Sequence, residues 1–93
     1  MVFKITMRAG GVDPKVGVEA ARDIEDEFRL HRPWHQNVSC TFADQTLTLI
    51  ASNDFDDDGR ALSDEFSDCL CAYIPIDKLA DDGVFEIVSV ERN

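Results

Sequence analysis

The sequence has few basic residues for its size. Nine lysines and arginines stand against 19 aspartates and glutamates, so the formal net charge at pH 7 is −10. A surface of that sign repels nucleic-acid phosphates and anionic lipid headgroups, and it attracts cations and basic protein surfaces. We therefore expect no nucleic-acid partner and no membrane partner, whereas a basic protein is a plausible one.

Cysteines and long apolar runs are also scarce. Cys40, Cys69 and Cys71 are an odd number of thiols without CxxC spacing, which argues against a disulfide framework. No apolar run is as long as a bilayer span, and the first residues lack the basic-then-apolar pattern of a secretory signal. These absences predict reduced thiols and a cytoplasmic location.

The composition that is present is typical of a folded protein. Hydrophobic residues make up 44% of the chain and charged residues 30%. A chain of 93 residues is long enough to bury one core without a structural metal or a disulfide. We predict a single α+β domain over residues 1–93.

Two hydrophobic periods divide the chain into six elements. Alternation of apolar and polar residues predicts strands at 2–9, 37–42, 46–51 and 84–90, with a hairpin turn at 43–45. Apolar residues at helical spacing predict helices at 14–30 and 59–73, and His31 would lie at the margin of the core. Asp13 is a suitable N-cap for the first helix, Pro14 suits its first turn, and Pro33 would end it.

The resulting order, βαββαβ, predicts a ferredoxin-like sandwich. In that fold a four-stranded antiparallel sheet, with strand order 4-1-3-2, carries both helices on one face. The hairpin would then bring the segment 31–35 next to the loop 53–59. Two histidines, an arginine and four aspartates would meet there.

The stretch 54–65 resembles the calcium-binding loop of the EF-hand family. Carboxylates occupy the first, third, fifth and last ligand places of that pattern, and a glycine occupies the turn position: Asp54, Asp56, Asp58, Glu65 and Gly59. The resemblance implies a bound Ca²⁺ or Mg²⁺, and the predicted neighbourhood of the segment 31–35 adds His35 as a candidate ligand. It is local, because a strand rather than a helix would enter the loop.

Helix capping is the alternative explanation of this acidic loop. Carboxylates at a helix N-terminus accept hydrogen bonds from free backbone amides and complement the helix dipole, and each stabilises the helix by roughly 0.3 to 1 kcal/mol. Under this interpretation the aspartates need no ion, and no cofactor is expected.

An enzyme is not favoured by the sequence. No motif places a serine or cysteine beside a histidine, and there is no glycine-rich phosphate loop. A third hypothesis is metal-assisted hydrolysis, in which the acidic loop holds the ion and His35 acts as general base or acid.

The first hypothesis is a non-enzymatic interaction or regulatory module that binds a basic protein or associates with itself. Strict alternation would place Phe85 and Ile87 on one face of the last strand and Val84, Val88 and Val90 on the other. An edge strand that is apolar on both faces suits self-association or strand addition. The candidate interaction residues are Asp57, Arg32, Trp34, Val88 and Val90.

Overall fold

The structure, a computed structural model, describes residues 1–92. Asn93, the last residue of the predicted domain, lies outside the described residues. The elements are β1 (Phe3–Ala9), α1 (Pro14–His31), β2 (Gln36–Ala43), β3 (Thr46–Asn53), α2 (Arg60–Tyr73), a short 3₁₀ helix (Ile76–Lys78) and β4 (Phe85–Arg92).

The four strands form one open antiparallel sheet in the order β2-β3-β1-β4. This is the predicted order 4-1-3-2 counted from the opposite edge. In the two central strands Ile5 lies opposite Ala51, and across the other side of β1 it lies opposite Val90. The predicted ferredoxin-like α+β fold is therefore confirmed.

The first helix begins and ends as its local sequence predicts. The Asp13 carboxylate accepts a hydrogen bond from the Lys15 amide at 2.8 Å, and Pro14 occupies the first turn. The helix ends at His31, and the Arg32 amide donates to the Phe28 carbonyl at 3.1 Å. The side chain of His31 is exposed, so its predicted place at the margin of the core is wrong.

The core lies between the helices and one face of the sheet. Strand residues that alternate along the sheet meet apolar residues spaced at helical intervals, and the largest fully buried side chains are Phe28, Phe66, Ile5, Met7, Ile24, Leu47, Leu49, Leu62 and Val12. α1 packs closely on β2 at Gly17, where there is no room for a side chain. A Cβ atom at this position would lie only 2.3 Å from the ring of Phe42. No element formed by residues 1–92 covers the opposite face of the sheet.

The β2–β3 hairpin closes through a two-residue turn. Ala43 lies opposite Thr46, and the intervening Asp44 and Gln45 have φ angles of 52° and 60°. Positive φ at both central residues is the geometry of a type I′ turn, which matches the twist of the flanking strands.

A β-bulge in β4 changes which side chains share a face. Thr6 lies opposite Ser89 but Met7 lies opposite Ile87, so Val88 is an extra residue in the ladder. Val90 consequently lies on the helix-covered side, opposite Ile5, where it packs against the core. The predicted grouping of Val90 with Val88 on the other face is wrong for this reason.

A second bulge lies at the start of β2. Gln36 lies opposite Ser52 and Ser39 lies opposite Ile50, and Asn37 between them has a φ of 53°.

Within residues 1–92, no helix combines the length and the apolar character needed to cross a bilayer.

Candidate functional site

The structure brings part of the predicted site together at one end of the sheet. β2 begins where β3 ends, since Gln36 pairs with Ser52, and the loops outside these two positions are in contact. We call the residues that meet there the polar cluster: Arg32, His35, Asn53, Asp56 and Glu65. The remaining predicted residues lie outside it.

His35 is the centre of the polar cluster. Its side chain is fully buried, with Nε2 2.9 Å from Glu65 Oε1 and Nδ1 3.2 Å from Asn53 Nδ2. The side-chain oxygen of Asn53, Oδ1, accepts hydrogen bonds from the amides of Phe55 at 3.1 Å and Asp56 at 2.8 Å. The side-chain nitrogen Nδ2 must therefore be the donor in the bond to His35. Nδ1 of His35 is therefore an acceptor, and Nε2–H donates to Glu65. His35 lies in the connection between α1 and β2, and its hydrogen-bond partners are Glu65 and Asn53.

Arg32 holds the second oxygen of Glu65. Its guanidinium Nη1 lies 3.0 Å from Glu65 Oε2, its Nε lies 3.6 Å from Glu27 Oε2, and its Cζ lies 5.6 Å from the centre of the Phe28 ring. Burial lowers the pKa of Arg32, but the hydrogen bond to Glu65 and the nearby negative charges raise it by more. The pKa of Arg32 is therefore raised above its ordinary value. The Arg32–Glu65 pair is half-buried and ties the α1–β2 connection to α2.

Asp56 caps the second helix from within the fold. It is buried, and its two carboxylate oxygens accept from the amides of Ala61 at 3.1 Å and Leu62 at 2.9 Å. Asp58 accepts from the Arg60 amide at 3.0 Å. Gly59, with a φ of 81°, makes the turn between the loop and α2.

The carboxylates of the EF-hand-like stretch do not converge on one point. Asp56 and Glu65 direct their oxygens to helix amides, Arg32 and His35, whereas Asp54 and Asp58 are exposed. Among residues 1–92 no group of three or more histidine, cysteine, aspartate or glutamate side chains is arranged to hold a metal ion. The described contacts favour helix capping as the role of Asp56.

Two aromatic rings flank the polar cluster at the surface. Trp34 is 49% exposed and Phe55 is 50% exposed, and their ring centres lie 6.1 and 6.0 Å from that of His35. Trp34 also borders an open cavity of about 330 Å³ beside Asn53 and Asp54. Asp57, another predicted interaction residue, is exposed on the same loop.

The other candidate surface is the outer edge of the sheet, which we call the β4 edge: Val84, Phe85, Ile87 and Val88. These side chains are 51%, 42%, 37% and 50% exposed. Phe85 contacts the buried Phe66 with ring centres 5.7 Å apart, so the apolar surface continues from the core to the edge. Among residues 1–92, β4 has a strand neighbour only on the β1 side.

The uncovered face of the sheet is polar. Arg8 pairs with Glu86 across β1 and β4, and Lys4 and Thr6 lie opposite Glu91 and Ser89 in the same ladder. In the part of the chain that the structure describes, this face carries no pair of aromatic side chains on which bases could stack.

The described cysteines are free thiols in two environments. Cys40 and Cys69 are buried, and Cys71 is exposed. Burial raises the pKa of Cys40 to about 12 and that of Cys69 to about 11, so neither thiol ionises near neutral pH.

Two residues, Asn53 in the polar cluster and Glu27 beside it, were not named as candidate site residues from the sequence. Glu27 contacts Arg32 and accepts a hydrogen bond from the Tyr73 hydroxyl at 3.1 Å. Asn53 carried one usable signal, since an asparagine at the end of an apolar strand and before an acidic loop is suited to bonding the backbone of that loop.

No protein-family model, no curated protein and no solved structure matches this chain. The two candidate surfaces are therefore distinguished by their own geometry and charge.

Proposed function

We propose that the chain is a non-enzymatic interaction module that binds a basic protein partner through the β4 edge. The observation that carries the proposal is the concentration of exposed apolar side chains at one edge strand, where Val84 directly before β4 and three residues within it are each more than a third exposed. Exposed apolar residues are common singly, but a contiguous group rimmed by polar residues is typical of a binding surface.

The charge of the chain supports a basic partner. The net charge is −10, and acidic residues lie before and within β4: Asp81, Asp82, Glu86 and Glu91. A protein of strongly negative net charge encounters a basic surface faster than a neutral one and repels acidic surfaces. Binding should therefore weaken as the salt concentration rises.

The contacts of the polar cluster support a structural role for it and do not support catalysis. Both ring nitrogens of His35 are hydrogen-bonded inside the fold, and both oxygens of Glu65 are engaged. A general base needs an accessible lone pair within reach of the proton that it removes. His35 would have to lose its bond from Asn53 before it could serve in that way.

Selection of peptides from a random displayed library tests this proposal. The immobilised chain should enrich peptides that combine apolar and basic residues, and these should lose binding to the variant Val88→Lys, which places a positive charge on the edge. Val18→Lys is the matched control, because Val18 is 62% exposed on α1 and the charge change is the same.

Two outcomes of the selection would contradict the proposal. Enriched peptides that bind Val88→Lys as well as they bind Val18→Lys would place the binding surface elsewhere. Enrichment of acidic or uncharged peptides would show that the preferred partner is not basic.

A further inference from the structure

We infer that the β4 edge binds its partner by strand addition, and that the added segment alternates apolar and basic side chains. This inference rests on the proposed function and specifies its mode of recognition and the chemistry of the partner.

β4 is the more accessible of the two edge strands. Both edges of the sheet, β2 and β4, are eight residues long. Three apolar residues of β2 are buried or half-buried under α1, namely Val38, Cys40 and Phe42, whereas those of the β4 edge are exposed. β4 contains no proline and no lysine, two residues that commonly block pairing at an edge.

The backbone of β4 is also available on its outer side. Its inner side pairs with β1 along Phe85–Arg92, and no second strand lies beside it among the residues that the structure describes. Main-chain hydrogen bonds to such an edge supply affinity, and alternate side chains supply specificity. The bulge at Val88 divides the edge into a segment at 85–87 and a segment at 89–92.

The register of β4 sets the pattern of the partner. Phe85 and Ile87 lie on the helix-covered side, opposite Ala9 and Met7, whereas Glu86 lies on the uncovered side opposite Arg8. A strand added next to β4 continues both faces of the sheet. Its side chains should be apolar where they meet Phe85 and Ile87 and basic where they meet Glu91 and Glu86, although Glu86 already pairs with Arg8 on its other side.

A second copy of this chain fits the edge less well. In antiparallel pairing about a two-fold axis, the register that sets Ile87 against Val90 of the copy also sets Glu86 against Glu91 of the copy. Like charges directly opposite each other destabilise a strand pair, and each copy also carries a net charge of −10. The charge distribution therefore favours a foreign basic strand.

The test uses a fluorescein-labelled peptide in which valine and lysine alternate. The peptide has 8 residues, the same length as β4. We expect fluorescence anisotropy to show binding that is roughly tenfold weaker when glutamate replaces lysine, and roughly tenfold weaker for Val88→Lys than for Val18→Lys. Two further peptides are N-methylated, one at every valine and the other at every lysine.

The methylated pair separates strand addition from side-chain docking. In a strand, successive amides point to opposite sides, so only one of the two methylated sets would face β4. We expect one methylated peptide to lose binding by roughly tenfold or more and the other to bind as the parent does.

The outcomes distinguish failure of the inference from failure of the proposed function. If both methylated peptides bind like the parent, strand addition is wrong and the proposed function stands. If the parent peptide binds Val88→Lys and Val18→Lys equally, the proposed function fails as well. A dimer seen by sedimentation that excludes the peptide would assign the edge to a second copy and overturn the inference.

Discussion

The Nε2 atom of His35 lies 2.9 Å from Oε1 of Glu65, and the imidazole is fully buried at this contact. The pair joins the segment before β2 to the second helix, 30 residues further along the chain. Asn53 at the end of β3 and Arg32 at the end of α1 complete the arrangement. One buried ring thus connects the two helices and two strands at this end of the fold.

Replacing His35 with alanine should destabilise the protein by about 2 to 4 kcal/mol, because the change leaves a cavity and removes the buried partners of Asn53 and Glu65. Urea denaturation followed by circular dichroism measures the loss. His31→Ala is the matched control, since His31 is exposed, and its effect should lie within about 0.5 kcal/mol. Equal losses in the two variants would contradict the role of the buried ring.

The hydrogen bonds also fix the tautomer of His35. Nδ1 accepts from Asn53 and Nε2 donates to Glu65, so the neutral ring should carry its proton on Nε2. Long-range ¹H–¹⁵N correlation spectra distinguish the two tautomers of a labelled histidine. A proton on Nδ1 would show that Asn53 presents its oxygen, and the amide contacts of the loop would need another acceptor.

Asp56→Ala should destabilise the protein by about 1 to 2 kcal/mol, because the carboxylate caps two amides at the start of α2. Asp57→Ala is the control on the same loop, since Asp57 is exposed, and it should change the unfolding free energy by less than about 0.5 kcal/mol. Thermal or urea unfolding of the two variants measures the difference. If Asp56→Ala leaves the unfolding free energy unchanged, helix capping is wrong as the explanation of this residue.

Millimolar calcium should leave the melting temperature of the wild-type chain unchanged. A ligand raises stability only when it binds the folded state, and the oxygens of Asp56 and Glu65 already accept from helix amides, Arg32 and His35. Differential scanning fluorimetry with calcium and then with a chelator checks this expectation. A rise in melting temperature that the chelator reverses would restore the calcium-loop hypothesis for Asp54, Asp56, Asp58 and Glu65.

The buried thiols should make stability decrease at alkaline pH. Burial raises the pKa of Cys40 from an ordinary value of 9.0 to about 12, and that of Cys69 to about 11. Above pH 9 the unfolded chain loses these protons while the folded chain keeps them, so the contribution is complete below pH 9 and is lost as the pH rises toward the folded-state values.

Urea denaturation at several pH values above 9 measures this dependence. Cys40→Ala should give a shallower decrease than the wild type, whereas Cys71→Ser, at an exposed thiol, should give the wild-type slope. Ellman's reagent supplies a second readout at mildly alkaline pH, where one thiol should react quickly in the folded chain and all three after unfolding. Fast reaction of Cys40 in the folded chain would contradict its burial.

The larger features of the fold could be predicted because their signals are local. Asp13 and Pro14 mark the start of α1, Pro33 marks its end, and alternation of apolar residues marks each strand. The order of elements then leaves few right-handed arrangements, and one of them is the observed sheet. The hairpin also predicted that the segment 31–35 lies beside the loop after β3.

The details of the candidate surfaces depended on features that composition and spacing do not encode. The extra residue in β4 moves Val90 to the core side, because a bulge reverses the alternation beyond it. His31 and His35 are only four residues apart in the sequence, yet His31 is exposed and His35 is buried. The difference arises because β2 starts next to Asn53 and Glu65, and these residues come from distant parts of the chain.

The sequence by itself determined the element types, their order, the strongly negative charge and the presence of an apolar last strand, since each of these follows from local spacing or from composition. Only the tertiary structure decided that Glu65 faces His35 and Arg32, that Asp56 caps α2 from inside the fold, and that the side chains of the β4 edge are exposed while Val90 packs against the core. These relationships join residues far apart in the chain, and their geometry is set by how helices and strands pack around one shared core.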